Sequence, residues 1–307
     1  MNRAEEVRRA VRPHLGDDFD LNSMLSFVEL DLTRDEGWLE AVKTVDIVMH
    51  TASPFPIDLP KHEDDLIRPA VDGTIRALKA ARDAGVKRVI VTSSTASVVY
   101  RDAPTQGNWY SEEDWTDTNH ASCAAYAKSK TLAEKAAWTY IENEAPDISL
   151  TTINPGLVLG PPLDGAFGTS IQVIVRLMGA KDPALPRLGF STVDVRDIAA
   201  MHVRTIDRPS TFGLRILGVS AFTWFEQIAS TLKAEFPQRR IATRVAPDWI
   251  IKILGLFDKQ IRSIVPNLSQ RSDVSNDRAR KLLDMDFIDP QQTVVDTAHY
   301  LVQNKLV

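Results

Sequence analysis

A parallel α/β fold followed by a smaller, mainly helical lobe is the architecture this sequence predicts. Through the first two thirds, short β-branched runs alternate with longer amphipathic stretches, the pattern of parallel strands joined by crossover helices. The runs are rich in Val and Ile, as strands buried on both faces should be. After about residue 219 the strand signal thins and helical patterns take over.

The chain opens on alternating Arg, Glu and Val in residues 2–14, which reads as an exposed amphipathic helix without the apolar core of a secretory signal. Strands are expected at Ser26 to Leu30, Val45 to His50, Val86 to Thr92, Leu150 to Asn154 and near Leu214 to Leu217. Between them, Asp64 to Ala84, Ala124 to Asn143 and Asp197 to Asp207 repeat apolar residues at three and four. In the first of these, Leu66, Ala70, Ile75, Leu78 and Ala81 share a face, and Gly85 supplies a C-terminal stop. Later helices are expected at Thr223 to Phe236, Asp248 to Phe257, Asn276 to Asp284 and Pro290 to Gln303. The apolar run from Trp249 is interrupted by Lys252 and closed by Asp258, too short to span a bilayer. No internal repeat or low-complexity tract is present.

The composition narrows function by exclusion. A net charge of −5 argues against a nucleic-acid surface, which needs a concentrated positive field. One cysteine, Cys123, excludes an internal disulfide, and the six histidines show no metal-ligand spacing. A cytoplasmic protein acting on a small molecule, without nucleic-acid or membrane partners, is expected, as monomer or homodimer.

Three local patterns can carry chemistry. In Tyr126-Ala-Lys-Ser-Lys130 the first and last residues lie on one helical face a turn apart, and an ammonium near a phenol favours the phenolate. Lys128, two positions on, faces away. The strand Val89-Ile-Val-Thr-Ser-Ser94 ends in hydroxyls where open α/β sheets place their ligands, so Ser94 can bond a substrate carbonyl. Serines also cap such loops without further role. Asn154-Pro-Gly-Leu-Val-Leu-Gly-Pro161 follows another strand, and a glycine beside a proline suits backbone lying against a flat ligand or simply a rigid loop. Thr51-Ala-Ser53, after the strand ending at His50, has the same two readings.

In this order and spacing the patterns resemble the extended short-chain dehydrogenase/reductase family, within the NAD-dependent epimerase/dehydratase superfamily. The resemblance is to the dihydroflavonol-reductase, cinnamoyl-CoA-reductase and bacterial aldehyde-reductase branch. Further stretches that carry it are Glu29-Leu-Asp-Leu32, His50-Thr-Ala-Ser-Pro54, Pro69-Ala-Val-Asp-Gly-Thr74, Ser111-Glu-Glu-Asp-Trp115, Ser129-Lys-Thr-Leu-Ala-Glu134, Val193-Asp-Val-Arg-Asp197 and Ser275-Asn-Asp-Arg-Ala-Arg280. The resemblance implies a Rossmann-like, doubly wound sheet and an NAD(P)H-dependent oxidoreductase that reduces an aldehyde or ketone to an alcohol.

Carried over by position, Tyr126 is the implied proton donor and Lys130 the residue that holds the nicotinamide ribose and lowers the tyrosine pKa. Ser94 orients the carbonyl, with Ser93 as the alternative. Asp31 and Leu32 meet the adenine; Thr51, Ala52 and Ser53 run along the cofactor's middle; and Pro155, Gly156, Leu157 and Val158 contact the nicotinamide. The implied cofactor is NADP(H) in preference to NAD(H), and Arg3 stands in the region where a basic residue selects the 2′-phosphate. Residues 1–160, with 190–220 returning to them, form the implied cofactor domain; residues 161–189 and 221–307 form the substrate lobe.

One departure is large. Family members open with a strand, a Gly-x-x-Gly-x-x-Gly turn and a helix, and no such turn occurs in this chain, where Gly16 is the first glycine. The expectation is a chain that starts about 35 to 40 residues into the family pattern, roughly one β-α-β half-unit late. Its sheet would then have an unpaired edge beside residues 45–50. Competing readings are a sugar-nucleotide epimerase or dehydratase, with Arg239, Arg240 and Arg244 as a diphosphate grip, and a hydroxysteroid dehydrogenase. From another class, the chain would be a non-catalytic dinucleotide sensor or an inactive fragment.

Overall fold

In a computed structural model, which describes residues 3–16, 18–54, 62–180 and 182–307, four parallel strands form the central sheet. They are β1 (Ile47–His50), β2 (Arg88–Thr92), β3 (Ser149–Pro155) and β6 (Leu214–Gly218), in spatial order β1-β2-β3-β6. The registers Val48↔Val89, Val89↔Leu150 and Ile153↔Ile216 keep the strand ends level. A second sheet holds β4 (Leu157–Leu159) and β5 (Gly189–Asp194) in parallel, with β7 (Ala221–Trp224) antiparallel to β5.

The two-residue alternation of β2 divides the core. Val89 and Val91 pack with Leu78, Ala81, Ala137 and Leu150 under the helices Asp64–Asp83 and Ala125–Glu144. Ile90 turns to the other face, where it meets Ile153, Ile216, Met201, Ala279 and Leu283 from helices Val195–Thr205 and Asp277–Leu283. Both faces are covered, which is why these strands read as continuous apolar runs. Gly85 ends the first crossover helix at φ +78°, a conformation costly for a residue with a Cβ.

A third large apolar cluster stands apart from these two. Helices Gln172–Met178, Phe225–Glu235 and Pro290–Gln303 enclose Ile174, Ile228, Leu232, Val294 and Leu301 against Leu159 of β4. Asp194, at the end of β5, ties this cluster to the rest: its carboxylate accepts from the Arg196 guanidinium and from Thr293 Oγ1 at 2.9 Å.

The expected strand at Ser26–Leu30 is irregular backbone. Its β-branched and aromatic residues find no ladder partner among the described residues, and Phe27 and Val28 stay 42% and 63% exposed. Among the described residues β1 pairs only with β2 and is the edge of the sheet. The short strands β4, β5 and β7 lie outside the expected ones: β4 is three residues long, β5 opens on Gly and carries Ser and Thr, and β7 is four residues long with one β-branched residue. As a result the later part of the chain is less purely helical than expected. No helix among the described residues is long and apolar enough to cross a membrane.

Helix Ala125–Glu144 is fastened to the sheet by one buried ion pair. Glu134 and Arg215 lie 2.7 Å apart, both nearly excluded from water. Ser93, Ser97, Thr152 and Asn154 all donate to the same carboxylate at 2.5–2.9 Å. These bonds and the arginine hold the Glu134 carboxyl below the usual range although burial alone would raise it. Removing the carboxylate strands a buried guanidinium, so Glu134→Ala should lose about 3–5 kcal/mol of unfolding free energy. Urea denaturation measures this; a loss under about 1 kcal/mol would contradict it.

Candidate active site

Ser94 follows β2 in extended backbone and caps a short 3-10 turn, Thr95–Ser97, its Oγ accepting from Ala96 N at 3.1 Å. Its hydroxyl also hydrogen-bonds the Tyr126 phenol, which reaches it from the first turn of helix Ala125–Glu144. Both side chains border a cavity of about 320 Å³. Ser93, the alternative, is committed elsewhere: its hydroxyl donates to Glu134 in the buried network. The choice between neighbouring serines is thus made by the pleat, which turns one toward helix and core and the other toward the cavity.

Burial pushes the Tyr126 phenol up, and the Ser94 hydrogen bond works against that rise. The expected lowering by Lys130 is not seen. The lysine side chain, 8% exposed, lies beside a smaller cavity bordered by His50, Ala52, Ser53, Thr92 and Ser93. Its pKa is pushed down to about 8 by desolvation, offset in part by Glu134 one turn along the helix. It donates no hydrogen bond among the described residues. A buried ammonium without a full set of acceptors is a binding group for hydroxyl oxygens. Lys128 points away and bonds both carboxylate oxygens of Glu63 at 2.8 and 2.9 Å.

The structure brings Ser53 and Ala52, after β1, to the Lys130 cavity and Gly156 and Leu157 to the Tyr126 cavity. Gly156 has no room for a side chain: a Cβ there would stand 2.1 Å from the Ser191 carbonyl oxygen. That contact lets β4 leave the central sheet beside β5. Pro155 is buried at the end of β3, and Val158 is half-buried in β4. Thr51 is exposed after β1. Asp31 is spent locally, accepting from Thr33 N and Oγ1 at 2.8 and 2.7 Å, which holds its carboxyl below the usual range. Leu32 packs on Gly73 of helix Asp64–Asp83. Arg3 pairs with Asp164 at 2.7 Å. Arg239, Arg240 and Arg244 border neither cavity.

Sequence reading overlooked Glu134, Arg215 and His50 as parts of the site. Glu134 stands four residues after Lys130, a spacing that was legible; nothing local pointed to Arg215, which is 81 residues away from its partner.

A family model described as the NAD dependent epimerase/dehydratase family matches residues 1–214. A cinnamoyl-CoA reductase of Medicago truncatula is 31% identical, over 73% of this chain and 69% of its own length. An NADPH-dependent methylglyoxal reductase of Saccharomyces cerevisiae is 29% identical, over 85% of this chain and 78% of its own. The crystal structure of yeast methylglyoxal/isovaleraldehyde reductase with NADPH superposes with a TM-score of 0.78 at 26% identity, covering 100% of this chain and 90% of that one.

His50 gives the site a pH signature. Desolvation, with the Lys130 ammonium nearby, depresses its pKa to about 4 from the ordinary 6.5. The unfolded chain therefore takes up this proton near pH 6.5 while the folded one resists until near pH 4. The contribution of His50 to stability is full above 6.5 and falls by roughly 3 kcal/mol on going down to 4. NMR titration of its imidazole should show the midpoint near 4; a midpoint at 6 or above would refute the assignment.

Proposed function

The chain belongs to the NAD-dependent epimerase/dehydratase family, and on that premise we propose that Ser94, Tyr126 and Lys130 are its reacting and cofactor-holding residues. The protein is an NADP(H)-dependent oxidoreductase that reduces an aldehyde or ketone to an alcohol, in keeping with its reductase relatives. The observation that carries the residue assignment is the Ser94–Tyr126 hydrogen bond at the wall of the larger cavity.

NADPH, when bound, supplies the hydride. The residues present fit its nicotinamide end, because the buried Lys130 ammonium and the Ser53 hydroxyl border one small cavity where ribose hydroxyls would complete their hydrogen bonding. Ala52, whose side chain is a single methyl, leaves room for a flat ring to approach the backbone. Thr51, Asp31 and Leu32 follow as the more distant cofactor contacts, with Pro155, Leu157 and Val158 at the nicotinamide. No residue of this chain is assigned to the pyrophosphate.

Within the larger cavity, Ser94 donates to the substrate carbonyl oxygen and fixes its place beside the phenol. Tyr126 gives its proton to that oxygen as the alcohol forms. The raised pKa suits this direction: the phenol stays protonated at neutral pH and is a competent acid whenever the oxyanion develops. Lys130 stays largely cationic at neutral pH, since its depressed pKa of about 8 is still above 7. Its charge would steady the phenolate left after transfer.

In this reading residues 1–160 with 190–220 serve the cofactor, and residues 161–189 and 221–307 shape the substrate side. The protein works in the cytoplasm, as a monomer or homodimer. Tyr126→Phe should lower kcat for carbonyl reduction by at least 10²-fold, the scale of a lost general acid, while leaving unfolding stability within about 1 kcal/mol. NADPH absorbance at 340 nm follows the rate, and full turnover by the variant would refute the role.

A further inference from the structure

Helix Asp248–Phe257 turns most of its apolar side chains outward. Trp249, Ile253, Leu256 and Phe257 are 63, 48, 66 and 85% exposed, and Leu254 is exposed beside them. At 3.6 residues per turn the first four fall within one arc of about 100°. The opposite side holds Ile251 and Gly255, the two residues this helix buries. There the following helix, Lys259–Ile264, and Val265 come so close that a Cβ on Gly255 would stand 3.1 Å from Val265 Cγ2 and 3.3 Å from Arg262 Cα. Packing fixes the outward orientation, because rotating the helix to hide its apolar arc would drive side chains into that contact.

The charge around the arc is of one sign. No acid lies between Trp249 and Phe257, and Lys252 stands one turn before Leu256 at the margin of the arc. Lys259 opens the next helix, and the Arg262 guanidinium lies on the Gly255 and Leu256 carbonyls at 2.8 and 2.6 Å, at the end of the helix where Leu256 and Phe257 are exposed. The two neighbouring acids are engaged within the protein. Asp258 accepts from Gln260 N and Ile261 N at 2.7 and 3.1 Å, and Asp248 from Ser269 Oγ at 2.8 Å. Residues 239–262 hold six Arg and Lys against two Asp, a local net charge of +4 in a chain of −5.

An apolar arc that carries a tryptophan and is rimmed by cations is complementary to an anionic lipid surface. The apolar side chains enter the acyl boundary while Lys and Arg stay at the level of the phosphates. Ten residues cannot cross a bilayer, but a helix lying in the interface plane needs no such length. A second copy of the chain fits less well. An isologous contact would bring two patches of the same positive sign together, and one ten-residue helix falls short of the roughly 20 to 30 residues a side of a stable dimer.

We propose that helix Asp248–Phe257 is a peripheral docking element that lays Trp249, Ile253, Leu256 and Phe257 into an anionic phospholipid surface, with Lys252, Lys259 and Arg262 at the headgroup phosphates. Docking needs neither Ser94 nor Tyr126 to act as assigned above. The docked element is continuous with the rim of the larger cavity, because the short turn Val265–Asn267 leads into the segment whose Asn267, Gln270 and Ser272 border it.

The test is flotation of the full chain with vesicles of phosphatidylcholine, alone or with about one third phosphatidylserine. The chain should bind the anionic vesicles at least about tenfold more tightly than the neutral ones, and the difference should shrink as salt is raised. Phe257→Ser and Trp249→Ser should each weaken binding to the anionic vesicles about tenfold, the scale of one apolar side chain left in water. Lys252→Glu combined with Lys259→Glu should weaken it by a similar factor through charge alone. All four positions are exposed, and circular dichroism reports whether each variant is folded. Sedimentation velocity without vesicles reads the oligomeric state.

No binding to anionic vesicles, equal binding to neutral ones, or undiminished binding by any of these folded variants would each overturn the proposal. So would a dimer that Phe257→Ser splits into monomers, since a second copy would then cover the face. Tyr126→Phe should bind vesicles as the unsubstituted chain does, which keeps a failure of docking distinguishable from a failure of the catalytic assignment.

Discussion

The buried Glu134–Arg215 pair is the constraint from which the site's geometry follows. An ion pair removed from water stabilises only if its remaining hydrogen-bonding capacity is filled, and here it is filled from four directions. Glu134 comes from the helix that carries Tyr126 and Lys130, Arg215 from β6, Thr152 and Asn154 from β3, and Ser93 from the end of β2. The guanidinium also donates to the Glu112 and Asp114 carbonyls at 2.9 and 2.7 Å and stacks on Trp115 at 3.6 Å. Helix, sheet and the loop around residue 112 thus share one charged centre. Moving the helix along its axis would break several charge-assisted bonds at once, so the Tyr126 phenol is held at the height of Ser94.

That arrangement separates two environments. The Tyr126 side of the helix faces a neutral, partly aromatic cavity, and the Lys130 side faces a smaller one with His50, Ser53 and Thr92. A depressed lysine and a raised tyrosine have one cause, the loss of water around both. Burial keeps the phenol protonated and leaves the ammonium short of acceptors. The close approach of Gly156 to Ser191 completes the division, because it sends the chain out of the central sheet at β3 and into a second sheet that forms the far wall of the larger cavity.

Much of this was legible in the residues themselves. The continuous apolar run Val89-Ile-Val91 and helical spacing in Asp64–Asp83 and Ala125–Glu144 are local consequences of side-chain type and period, and those elements stand where expected. The helices Asp248–Phe257 and Pro290–Gln303 match their expected bounds. The error at Ser26–Leu30 has a physical reason: a β-branched run becomes a strand only when another strand supplies its ladder bonds, and that information is not in the run.

The sequence by itself determined the strand and helix periods, the four-residue spacing that puts Tyr126 and Lys130 on one helical face, and the family to which their order points. Tertiary structure alone decided which serine faces the cavity, because the pleat spends Ser93 on Glu134 and leaves Ser94 to Tyr126. It also decided that Arg215 answers Glu134 from 81 residues away and that Phe222, Gln270 and Asn267 meet at one cavity. Local pattern reports what a residue prefers within a few positions; charge pairing and cavity shape depend on how far-apart segments are packed, and only the folded chain brings those segments within range.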